Sequence, residues 1–423
     1  MRHPFCTLLL SVVLTLAAAF PALALNQWTV MLYLVSDDNE STSMVESHLE
    51  TINALAPKAG VAGEYEVVVM IDAPKGYTLV SKAKNPSGGF LLEPGTNGKW
   101  NIAEELGEVN MGSPANLWRF LKWATTKHPG RQTALVIAGH GSGIFSWRGT
   151  GGVNSADPGA VDFDPGRFVG YDDTDNDCLT VFEIRAVLEA ARDRLNGGRP
   201  LDVLIFDSCL PGCIEALYQL RDCGRLLVSS PSTTLIGGMP YAKILRTLAG
   251  KLEMGIEEFG QAVAKAYLDR VIEMGGDDEV MGVFRPAEAK TLVGPLDQLA
   301  IQLVRAREQK KLSVKNLTTF GGKNRYWDLA RILNSLADGA TDLSGLDNAE
   351  AIKTLAREAA EALKASRVTT WYSGTFAENK IGGLSISWPD KDEYAKWRPF
   401  YKALDFAKDT HWDEFIDVWN GLN

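Results

Sequence analysis

The chain has 423 residues, 45% of them hydrophobic, enough to bury one large core or two ordinary ones. Its formal net charge of −10 and isoelectric point near 5.2 argue against nucleic acid or an anionic membrane surface as a partner. Five cysteines are too few for a disulfide scaffold, and the sequence shows no low-complexity tract or fixed-period repeat.

Residues 1–24 read as an export signal. Arg2 and His3 precede an apolar stretch from Leu8 to Phe20, and Ala22-Leu23-Ala24 has the small-x-small cleavage pattern. Pro21 and the short apolar core favour cleavage over retention as a membrane anchor. The expectation is a secreted or periplasmic protein that begins near Leu25, with no membrane association after signal removal. Cys6 leaves with the signal, which leaves Cys178, Cys209, Cys213 and Cys223.

Trp28 to Val35 then reads as a buried strand, followed by an amphipathic helix from about Ser43 to Leu55 and a second strand, Tyr65 to Asp72. Residues 75–100, with Gly88-Gly89 and Pro94-Gly95, read as hairpins and loops. Ser113-Pro114 opens a helix that carries Leu117, Phe120, Leu121 and Ala124, a cap with proline in the first turn. Thr133 to Ala138 is an apolar run that ends in Gly139-His140-Gly141. Residues 141–171 form a long Gly-, Asp- and Pro-rich stretch, a length that inside a domain usually signals function.

Thr180-Val181-Phe182-Glu183 has capping-box spacing and starts a helix through Leu195. Leu201 to Phe206 is a further buried strand, ending in Asp207-Ser208-Cys209 and then Pro211-Gly212 and an amphipathic segment from Ile214. Arg225 to Ser230 is a fifth strand, and Pro240 to Leu248 a helix. Strands alternating with helices imply an α/β fold with a largely parallel sheet flanked by helices. From about residue 251 helical periodicity dominates: Ile256 to Met274, Ala287 to Lys310, Trp327 to Leu336 and Ala349 to Ala365. Two late strands, near Thr369–Tyr372 and Gly383–Trp388, are placed to extend the first sheet. The division is therefore an α/β unit over 25–250 and a mostly helical C-terminal region over 251–423, with one compact unit as the alternative.

A strand-end cysteine alone is more often a small core side chain than a nucleophile. His140 changes that balance, because it ends a matching strand. Neighbouring parallel strands would bring both side chains out at one sheet edge, the requirement for a Cys–His pair that attacks carbonyls. The backbone amides of Gly141 and Cys209 are candidate oxyanion donors. Asp207 lies two residues before Cys209, about 7 Å away on the same strand face, and is placed either to bind a cationic substrate group or to structure the turn. His48 and His128 sit in polar helical stretches and read as solvated, and His411 has no evident partner.

Asp172-Asp173-Thr174-Asp175-Asn176-Asp177, with Glu183 twelfth in the count, suggests an EF-hand loop. Thr174 at position three and Asp177 where the loop needs glycine depart from it, and an acidic turn plus capping box is the simpler account. Asp172, Asp175 and Asp177 are nonetheless calcium candidates; Cys–His chemistry itself requires no cofactor.

The motifs, in order, resemble the clostripain family of cysteine endopeptidases in the caspase-like clan. They are Trp28–Tyr33, Gly107–Gly112, His140-Gly141-Ser142-Gly143, Asp172 to Glu183, and Phe206-Asp207-Ser208-Cys209-Leu210, with a looser match at Gly383–Ile386. The resemblance implies a caspase-like sheet, peptide or protein substrates, and a catalytic dyad of His140 and Cys209. It implies that Asp207 lines a pocket favouring Arg or Lys at P1. It further implies self-cleavage after the catalytic histidine, with Arg148 and Arg167 as candidates, and calcium dependence in some members. The segment Ser230–Tyr241 keeps the family length but lacks its acidic residues and tryptophan, and Gly139 replaces a polar or acidic residue. Two other readings are a binding or scaffold protein on the same fold, and an exported calcium-binding protein with an incidental thiol.

Overall fold

The structure is a computed structural model that describes residues 25–37, 42–55, 60–61, 64–72, 88–95, 98–145, 168–235, 237–309, 312–314, 317–321 and 325–422. Residues 1–24, read above as an export signal, and the self-cleavage candidates Arg148 and Arg167 lie outside the described residues. No described helix is long and apolar enough to cross a membrane.

The strands are β1 (Asn26–Val35), β2 (Gly60–Val61), β3 (Tyr65–Asp72), β4 (Gly89–Pro94), β5 (Trp100–Gly107), β6 (Gly130–Ala138), β7 (Val169–Asp172) and β8 (Asp177–Leu179). They continue as β9 (Leu201–Asp207), β10 (Gly224–Ser229), β11 (Val280–Phe284), β12 (Thr319–Phe320), β13 (Tyr326–Asp328), β14 (Arg367–Tyr372) and β15 (Ser385–Ser387). Ten of them form one mixed sheet in the order β14-β11-β10-β9-β6-β1-β3-β4-β5, with β2 on β3. The central five, β3, β1, β6, β9 and β10, are parallel, and antiparallel strands extend both ends.

Helices cover both faces, so the central strands are buried on both sides and read as nearly unbroken apolar runs. Along β1, Met31, Tyr33 and Val35 join the core under the helices Pro114–Lys127 and Val181–Arg194. Val30, Leu32 and Leu34 face the other core, under Tyr241–Gly250 and Ile256–Glu273. Both anticipated helix starts are present. Ser113 caps Ala115 N–H ahead of Pro114, and Thr180 and Glu183 exchange the reciprocal bonds of a capping box.

The second half of the chain is more interleaved with the sheet than its helical periodicity suggests. Val280–Phe284 forms β11, a five-residue apolar run too short for periodicity to separate from helix. It pairs with β10 and with β14, so the late strand near Thr369 does extend the first sheet. The strand near Gly383 instead becomes β15 in a separate three-stranded sheet with β12 and β13. The segment after Cys209 also differs. Its helix is only Ile214–Gln219, and all six residues are buried, because β15 and the last helices pack over its outer side. Glu215 Oε1 accepts Ser387 N–H (2.8 Å) and Tyr401 Oη–H (3.0 Å), while Gln219 Oε1 accepts Asp405 N–H (3.0 Å).

Candidate active site

Strands β6 and β9 are parallel neighbours whose last registered pair is Ala138 with Asp207. His140 and Cys209 each follow two residues later, so the two chains deliver imidazole and thiol to one edge in step. Gly139 makes the exit from β6 possible. Its φ of +147° is a conformation that side chains resist, and an added Cβ would meet Val35 O at 3.1 Å. That conformation explains glycine at a position where the family resemblance led us to expect a polar residue. Gly141 approaches the Cys209 turn so closely that a Cβ would collide with Ser208 Oγ and stand 2.7 Å from Cys209 O.

The Cys209 turn is laced to residues 230–234. Gly212 N–H donates to Ser230 O (2.9 Å), Leu210 N–H to Ser232 O (2.9 Å), and Thr234 N–H to Cys209 Sγ (3.2 Å). Leu210, next to the thiol, has φ +71°, a strained conformation held by this lacing. Burial pushes the Cys209 thiol up, as do the Glu279 and Asp207 carboxylates, while the Thr234 hydrogen bonds pull it down. Cys209 is part-buried, whereas Cys178, Cys213 and Cys223 are buried. Cys213 is fully enclosed at the start of the following helix, which suits a structural role.

A cleft of about 400 Å³ opens at this edge, lined by His140, Gly141, Ser142, Cys209, Leu210, Thr233, Thr234, Gly321, Arg325 and Tyr326. Sequence reasoning did not find its far wall. Tyr326 Oη–H donates to Ser142 O (3.2 Å) and accepts Phe145 N–H (3.1 Å), fastening the C-terminal half to the loop after His140. Arg325 beside it is ion-paired with the buried Glu393. Only their place beside the cleft identifies these residues; nothing in their local sequence does.

Asp207 is not among the cleft's lining residues. It is buried, and its Oδ2 accepts Met239 N–H (2.8 Å) and Tyr241 Oη–H (2.6 Å). Burial raises its carboxyl above the usual range, opposed by those two bonds and by Arg270. The other histidines depart from expectation. His48 is buried against Ser36, His128 lies between Glu66 and Glu93, and His411 Nδ1 meets Asp297 Oδ1 at 2.7 Å.

On the acidic turn, Asp172 converges with Asp37 and Asp72, and separately with Glu108 and Asp175. Asp177 belongs to neither group: it accepts Asn110 Nδ2–H (2.8 Å) and the N–H of Cys178 (2.8 Å). Asp172 accepts Met111 N–H (2.8 Å) and Asp175 N–H (3.1 Å), yet burial still pushes it to about 7. Asp37 is fully buried; burial raises its carboxyl, while hydrogen bonding from the Thr174 side chain and backbone lowers it.

A profile described as the clostripain family matches residues 32–419. Clostripain of Hathewaya histolytica is 25% identical over 352 residues, covering 72% of this chain and 61% of that protein. The aligned stretch therefore spans less than two thirds of that relative's length. Among solved structures, a secreted C11 cysteine protease of Bacteroides thetaiotaomicron superposes with a TM-score of 0.60 at 15% identity, covering 92% of this chain and 99% of that one. An inactive zymogen C11 protease of Parabacteroides distasonis gives a TM-score of 0.62 at 15% identity, over 91% and 98%. At such identities the likeness carries the fold, the mostly parallel sheet between helices described above. With the family profile matched from β1 to the last helix, the chain belongs to the clostripain family.

Proposed function

We propose that the protein is an exported cysteine endopeptidase in which Cys209 is the nucleophile and His140 the proton carrier. One observation carries this reading: His140 and Cys209 leave neighbouring parallel strands in register and line the same cleft. His140 accepts the thiol proton, and the thiolate attacks the scissile carbonyl carbon, placing negative charge on its oxygen. The amides of Gly141 and Cys209 are the donors for that oxyanion. Collapse of the intermediate breaks the C–N bond, and the imidazolium returns its proton to the leaving amine. Water, deprotonated by His140, then hydrolyses the thioester and restores the thiol.

Asp207 is the carboxylate available for a basic P1 side chain. A substrate reaches its Oδ2 only by displacing the Tyr241 hydroxyl and Met239 amide, because no carboxylate lines the cleft among the described residues. Self-cleavage at Arg148 or Arg167 and export through residues 1–24 belong to the same proposal. Calcium is part of it as well, now centred on Asp37, Asp72 and Asp172. The three converging carboxylates of Asp37, Asp72 and Asp172, all buried, fit a hard, oxygen-seeking cation, which would neutralise the buried charge there.

Mass spectrometry of a peptide library, with the natural chain and Cys209→Ala, tests the reading. We expect cleavage and self-processing in the first and neither in the second, with the P1 residue read from the products. Undiminished turnover by Cys209→Ala would sink it.

A further inference from the structure

The lacing of residues 230–241 to the Cys209 turn continues beyond the cleft into the sheet edge. Leu235 N–H donates to Tyr267 Oη (3.0 Å), and Tyr267 Oη–H donates to Glu279 Oε2 (3.1 Å). Glu279 is itself fixed at the mouth of the β11–β14 pair. Its N–H donates to Ser373 Oγ (3.1 Å), and its carbonyl accepts Ser373 N–H (2.9 Å). Leu235 follows Thr234, whose N–H is seated on the Cys209 sulfur. Tyr267 is fully buried and Glu279 is buried, so neither makes these bonds by competing with water. A buried tyrosine and carboxylate are costly unless paired, and their pairing here ends on the backbone of one residue beside the thiol.

We infer that Tyr267, oriented by Glu279, is a positioning residue that holds the Thr234 N–H on Cys209 Sγ and so sets the reactivity of the thiol. This rests on the peptidase reading for its importance, but not for its geometry. The charges of Asp207 at the end of β9 and Glu279 before β11 act on the sulfur, and His140 after β6 and Arg325 before β13 line the same cleft. Both carboxylates disfavour the thiolate, and the Thr234 donors oppose them. Without Tyr267, the Leu235 N–H loses its acceptor, and the 233–235 backbone is freed to lift from the sulfur. The donor is then lost, while both opposing charges stay.

The test is the pH dependence of iodoacetamide alkylation at Cys209, read by mass spectrometry beside peptide turnover. Tyr267→Phe keeps the ring and removes both bonds. We expect the alkylation midpoint to rise by about half to one pH unit, so alkylation near neutrality slows by about three- to tenfold. We expect kcat to fall with it more than KM rises. Glu279→Gln keeps an acceptor for Tyr267 and removes a repelling charge, so its midpoint stays or falls. A midpoint that rises in Tyr267→Phe but not in Glu279→Gln is the signature, because a merely structural role would lower both melting temperatures without dividing the midpoints. An unmoved midpoint in folded Tyr267→Phe overturns the inference. If no variant, nor the natural chain, cleaves peptide while the midpoints still divide, the peptidase reading fails and the positioning role stands.

Discussion

Asp172 shows how a single buried carboxyl ties stability to pH. Burial holds its proton until about pH 7, whereas in the unfolded chain an aspartate loses its proton near 4. Between those values the folded state binds more protons, so this group's contribution to stability falls as pH rises through the window. In the calcium proposal, a divalent cation among Asp37, Asp72 and Asp172 would replace those protons, so its stabilisation should grow in the same direction. Melting temperature with calcium minus that with chelator should be small near pH 5 and largest above pH 7. A difference that is flat with pH would remove the cation from this cluster. At this scale the sequence was legible where it had only to place a residue, as for His140 and Cys209 at strand ends beside one cleft. It was silent where a role depends on a distant partner. Asp207 is capped by Tyr241, His128 is held between Glu66 and Glu93, and Arg325 comes from the far half of the chain.

Short elements carry the connection between the two halves. The helix Ile214–Gln219 is buried on all sides, and Glu215 is its bond to β15 and to Tyr401. Glu215→Ala leaves Ser387 N–H and Tyr401 Oη–H without an acceptor in the interior, a loss of about 2–4 kcal/mol. Glu215→Gln keeps an acceptor and should cost about 1 kcal/mol or less. Urea denaturation compares the two; equal losses would mean that volume, not the hydrogen bonds, matters there. The sequence suggested an amphipathic helix here because Glu215 and Gln219 look like a solvent face. That face turns inward only because β15 and the last helices supply its partners. The same limit hid β11, whose five apolar residues become a strand through pairing with β10 and β14.

For the whole molecule, the sheet crosses residue 250 without interruption, since β11 and β14 continue it from β10. A chain ending at residue 250 would expose the edge of β10, uncover the Ile214–Gln219 helix and lose Tyr326 from the loop after His140. We expect such a fragment to be aggregated or to lack a cooperative melt by circular dichroism; a sharp melt would show that the N-terminal unit folds alone. The alternating strands and helices revealed the parallel centre of this sheet, because both faces of each strand are buried. Its far edge was not visible, since edge strands are short and chosen by long-range pairing.

The fastening of Tyr326 to Ser142 and Phe145 also sets an order in time. A ribosome makes His140 and Cys209 well before it makes Arg325 and Tyr326, and Glu393, which anchors Arg325, comes later still. The growing polypeptide thus carries both side chains while the far wall of their cleft has yet to be synthesised. The cleft therefore stays unassembled until most of the molecule exists.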